Sequence, residues 1–163
     1  MRQVKQFTFT ANFDIDIFDR YSSLTKLQRV YAYCLRFIKN AKIKGENRGE
    51  RTIGALSIEE LNEVSTKLIR HIQEREFSQD LACLERAQPL PRKSKLLTLN
   101  PFLDKGGLVR VGGRIANSSF QSDKKYPILL PQKHKFTDLL IRSEHVATDV
   151  PAFLDPLVQR VHI

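Results

Sequence analysis

From Leu24 onward, apolar residues recur at helical spacing: Leu24, Leu27, Tyr31, Cys34 and Ile38, with Val30 and Leu35 widening the stripe. Lys26, Arg29, Arg36 and Lys39 fall mostly off that stripe. Ser22-Ser23 supplies a hydroxyl for the free amides of the first turn, and Lys44-Gly45 ends the pattern. Residues 45–54 read as a flexible basic loop. A second helix is signalled by the capping box Ser57-Ile58-Glu59-Glu60, with Leu61, Val64, Leu68 and Ile72 as its buried face. Phe77-Ser78-Gln79-Asp80 offers a fresh cap for a third helical piece carrying Leu81 and Leu84, and Pro89 and Pro91 stop it.

The period then changes. Leu96–Leu103 reads as a strand, kinked or at an edge because Pro101 removes a ladder donor. Asp104-Lys105-Gly106-Gly107 supplies turn chemistry, Leu108–Val111 returns as the partner strand, and Gly112-Gly113 ends it. Pro127–Pro131 is a third short strand, and a last helix runs through Phe136, Leu139, Leu140, Ser143 and Val146. The expectation is an α+β fold: a small helical module (23–90), then a β-hairpin-containing extension with a closing C-terminal helix (91–147). Residues 1–22 are expected to be loose, and so are 149–163.

Charge changes this picture more than overall composition does. The net charge is +9, distributed as two basic blocks around an acidic one. Residues 24–54 carry +6, 55–88 carry −3, and 89–145 carry +7. Such clustering points to a polyanionic partner; a basic face docked on acidic protein surfaces is the plainer alternative. No apolar run is long enough to span a bilayer, and the N-terminus has no signal-peptide pattern. Cys34 and Cys83 lie in apolar helical sequence, where reduced, buried thiols are expected, so a reducing compartment, cytoplasmic or nuclear, is favoured.

Three segments resemble the Pol polyprotein of BEL/Pao-type retrotransposons. The first is Arg20–Leu27 continuing into Ala32–Ile38, and the second is Leu61-Asn62-Glu63 with Phe77-Ser78 closing the helix. The third runs through Ser94–Asp104, Gly107–Arg114 and Tyr126–Pro131, and is the most specific. The resemblance implies the stretch between RNase H and the integrase, with 96–131 a β-rich extension ahead of the integrase zinc-binding domain. The family's first zinc histidine would fall at His145. Its second would fall near Val150, and no CxxC follows, so 148–163 would be a remnant of that domain. A tetrahedral site needs four ligands, and no metal or other cofactor is expected. His145 and His162 cannot supply them, and His71 and His134 belong to other segments; His134 reads as a surface residue or a phosphate contact.

Catalytic chemistry has little support. Asp14, Asp16 and Asp19 lack the further acids that a divalent-metal site would use. The paired glycines do not open a helix with Gly-Lys-Ser/Thr, and no G-x-S-x-G elbow is present. The chain is therefore expected to be no enzyme but a fragment of a Pol/integrase precursor associated with DNA integration. Weak, non-specific contact with DNA or RNA would use Lys93, Lys95, Arg110, Arg114, Lys124, Lys125, Lys133 and Lys135. The alternative is a scaffold that packs against other Pol regions, or a decayed reading frame without activity.

Overall fold

The Ser23 hydroxyl accepts from the Lys26 amide at 3.4 Å and starts helix α1, Leu24–Lys42. Ser57 and Glu60 satisfy each other's backbone amides in the expected capping box and start α2, Ile58–Glu76. The computed structural model describes residues 17–43, 49–112 and 126–146. The remaining elements are α3 (Ser78–Glu85), a 3-10 turn (Leu97–Leu99), strands β1 (Pro101–Leu103) and β2 (Val109–Val111), and α4 (Lys135–Val146). The fold is α+β with a C-terminal helix, as the patterning predicts.

α1 and α2 pack through a row that the apolar pattern only half reveals. The buried residues of α1 are Leu24, Leu27, Gln28, Ala32 and Arg36, mostly an i+4 row facing α2. Gln28 enters because its amide donates to the Ser65 hydroxyl at 2.9 Å. Arg36, which falls off the apolar stripe, is buried because its guanidinium has four acceptors. It donates to both Glu60 carboxylate oxygens and to the carbonyls of Gly54 and Ala55. Glu60 thus caps α2 and holds α1 at once, and Arg36 and Ser57 pull its carboxyl down to about 2. Because this row turns inward, Val30 and Cys34 turn out. Cys34 is exposed rather than buried, and Cys83 is half-buried.

The loop before α2 is also less free than its composition suggests, at least over 49–54. Asn40 accepts from the Thr52 amide and donates to the Thr52 carbonyl. Residues 44–48 lie outside the described residues. Ile17, Phe18 and Tyr21, expected in the loose N-terminal segment, pack on the core, with Phe18 edge-on to Phe136. Residues 1–16, with Asp14 and Asp16, lie outside the described residues, as does 148–163.

α3 starts differently from expectation. Phe77 occupies its N-cap, and no side chain caps it. The Phe77 amide still bonds to Gln73 while its carbonyl accepts from Leu81, so α2 runs into α3 with a bend at one residue. α3 then stops before the prolines. The Gln88 amide reaches the Cys83 carbonyl and the Ala87 amide that of Leu84, with Ala87 left-handed at φ 52°. This is a Schellman closure with alanine in the usual glycine position.

The strand expected over 96–103 is only Pro101–Leu103. Asn100 is left-handed (φ 46°), which breaks the extended run after the 3-10 turn. β1 and β2 pair antiparallel, Phe102 opposite Arg110. Asp104 shapes the turn: its Oδ1 accepts from the Gly106 and Leu108 amides. The 127–131 segment adds a single bridge, Arg110 to Ile128, flanked by bonds from Val111 to Pro127 and from Leu129 to Val109.

Alternation along these short strands divides the interior in two. Leu108, Ile128 and Leu130 face the main core with Leu24, Leu27, Val64, Leu68, Phe136, Leu139 and Leu140. Val109 and Leu129 face the other way, toward Leu81, Leu96, Phe77 and Leu84. The extension is therefore covered on both faces, which explains the unbroken apolar run Ile128-Leu129-Leu130. The boundary expected between 90 and 91 does not divide the core: the main cluster draws residues from both sides of it. Gln73 ties the layers together. Its amide accepts from the Val109 amide and donates to the carbonyls of Val109 and Leu129.

Candidate nucleic-acid interface

Buried Leu96 seats the 91–96 segment in the smaller core. Upstream, the Ser94 amide bonds to the Pro91 carbonyl, and the Ser94 hydroxyl accepts from the Leu96 amide. The turn so fixed leaves Lys93 and Lys95 exposed on either side of Ser94. Lys133 is exposed on the separate turn before α4, where the buried Thr137 hydroxyl holds the Pro131 carbonyl at 2.8 Å. The three lysines meet at one cleft of about 580 Å³. Its other wall is the α2–α3 junction, with Glu76, Phe77, Gln79 and Asp80; Pro91 and Pro131 complete it.

Among the described residues, none of these three lysines is in an ion pair. Two other candidate cations stand apart. Lys135 is half-buried on α4 and does not line the cleft. Arg110 donates to Asp104 Oδ2 at 2.5 Å and to the Tyr126 carbonyl at 2.8 Å, so its guanidinium serves the hairpin. Arg114, Lys124 and Lys125 lie outside the described residues.

The first basic block meets the acidic block instead. Arg36 pairs with Glu60 and Lys39 with Glu63, and Lys67 joins Glu63 from the next turn of α2. Lys39 and then Lys67 hold the Glu63 carboxyl below the ordinary carboxylate range. The alternation of charge along the sequence is thus partly cancelled in space, and the cleft lysines, though in no ion pair among the described residues, share their cleft with Glu76 and Asp80 of the acidic block.

Comparison with known protein families, curated proteins and solved structures gives no match.

His134, expected at the surface, is half-buried next to Lys133. Its ring packs edge-on against Phe18 at 5.0 Å, and Nδ1 accepts from the Phe136 amide at 3.1 Å, capping α4. Burial lowers its pKa below the ordinary 6.5, and nearby Glu76 opposes that shift. Protonation would remove the acceptor and place positive charge at the N-terminus of a helix. The unfolded chain therefore takes up the proton first as pH falls. Stability is full above pH 6.5 and declines as pH drops toward and through the folded value. Urea midpoints at about pH 8 and about pH 5.5 bracket the ordinary histidine value. The fall between them should shrink in His134→Asn, whose amide oxygen caps without titrating. An unchanged fall would exclude His134 as its source.

The cleft's acidic wall was not legible in the sequence. In the sequence Asp80 reads as part of a cap and Phe77 as the end of a helix. Their shared position depends on the one-residue bend between α2 and α3, which no local pattern announces.

Proposed function

We propose that the chain is a non-catalytic part of a retrotransposon Pol or integrase precursor, associated with DNA integration in the cytoplasm or nucleus. It holds nucleic acid weakly, largely through the phosphate backbone. The observation that carries this is the convergence of Lys93, Lys95 and Lys133 on one open cleft. Exposed ammonium groups at such a rim neutralise phosphates and release counterions, which gives salt-dependent binding tolerant of sequence. Resemblance of the 94–131 region to the segment ahead of the integrase supplies the biological setting.

A filter-binding titration with DNA and RNA strands at two salt concentrations tests the proposal. Retention is expected at the lower salt and a steep loss at the higher; no retention at the lower salt would end it.

A second reading, an interaction module for other Pol regions, is favoured by the outer face of α1. Val30, Tyr33 and Phe37 lie there at helical spacing, and Phe37 is 73% exposed. Under that reading the chain would show no measurable nucleic-acid binding, and charge variants would differ only in solubility. No helix among the described residues is long and apolar enough to cross a membrane.

A further inference from the structure

Phosphate binding does not use the carboxylates of the cleft, and one of them stands out. Asp80 lines the cleft, and the Oδ1 atom of Asp80 is shielded from water with no hydrogen-bond donor among the described residues. A carboxylate oxygen in that state is unfavourable, because it has lost its water without gaining a partner. The same cleft is lined by Phe77, by a second carboxylate at Glu76, and by the cationic Lys93, Lys95 and Lys133.

We propose that this cleft receives one unstacked base of a single strand and reads its Watson–Crick edge through Asp80, with guanine preferred. This rests on the nucleic-acid reading above and adds a base-reading subsite to it. A ring of aromatic carbon at Phe77 offers a stacking wall, which any base can use. The lysines meet the phosphates on either side of the inserted nucleotide. Selectivity comes from the carboxylate, which only accepts hydrogen bonds. Guanine presents two adjacent donors, N1–H and the N2 amino group, matching the two oxygens of a carboxylate. Turning the side chain about its Cα–Cβ bond moves both oxygens together, so it can bring Oδ1 out to the base beside Oδ2. Cytosine and adenine present one amino group each. Thymine and uracil present one N–H between two carbonyls, which a carboxylate repels. Duplex DNA keeps these edges paired, so the subsite acts on single strands.

The test is fluorescence anisotropy of the full chain at low salt, with labelled oligothymidine and with the same strand carrying isolated central guanines. The guanine strand should bind at least about fivefold tighter, the lower end expected for a good two-bond base contact. Asp80→Asn, nearly the same shape, should lose that preference while binding oligothymidine at least as well, since one negative charge has left the cleft. Thermal melting of the variant checks that it is folded, and the wild-type preference stands as a test by itself. Equal wild-type affinity for both strands would overturn the subsite while leaving phosphate binding intact. So would a guanine preference that survives in folded Asp80→Asn. No binding of either strand would overturn both proposals together.

Discussion

Gln73→Leu is expected to destabilise the fold by about 3 kcal/mol, although leucine fits a buried helix face. The Gln73 side chain is fully buried, and its amide makes three hydrogen bonds to Val109 and Leu129. Leucine would leave the Val109 amide and the Leu129 carbonyl without that partner, in a layer water does not reach. Each buried group stranded in this way costs about 1–3 kcal/mol. A single bridge joins the 127–131 segment to β2, so few other bonds can compensate. Urea unfolding of the variant measures the loss. A change under about 1 kcal/mol, within the range of ordinary substitutions, would show that the amide is dispensable.

Phe136→Ala should cost about 3–5 kcal/mol, the usual range for deleting a core phenylalanine. The Phe136 ring is 1% exposed, and it meets Phe18 on one side and the shared core of α1, α2 and α4 on the other. The manner of unfolding is as informative as the size of the loss. Because α4 packs in the same cluster as Leu24, Leu27 and Leu68, the variant should still unfold in one transition. Circular dichroism and hydrogen exchange should then agree on one midpoint. Early, separate loss of α4 with α1 and α2 intact would mean that the helical module and the extension are independent units.

Local chemistry made several elements legible in advance. The Ser57–Glu60 box and the Asp104–Gly107 turn carry their own donors and acceptors, so short sequence windows suffice to find them. What stayed hidden depended on partners far along the chain. Arg36 lay off the apolar stripe, and only Glu60 with the Gly54–Ala55 carbonyls makes its burial favourable. Gln73 falls four residues after Ile69 on the buried face of α2, and the partners that satisfy its amide there, Val109 and Leu129, come from a distant segment of the chain. Cys34 failed in the opposite direction. An apolar stripe read too broadly includes residues at its edge, and α2 covers only the i+4 row. For the cleft, charge identified Lys93, Lys95 and Lys133 as candidates, but could not separate them from Arg110, whose partner Asp104 lies six residues away.

The salt dependence of binding tests the central claim most directly. Log affinity for a single strand is to be measured against log salt for the wild-type chain and for the triple variant Lys93→Ala, Lys95→Ala, Lys133→Ala. Each phosphate contact on a single strand contributes about 0.7 to that slope, so removing three should flatten it by about 2. The variant should weaken binding most at low salt, and should do so alike for DNA and RNA strands. A variant that binds with the wild-type slope would contradict the account, because the cleft would then contribute no phosphate contacts.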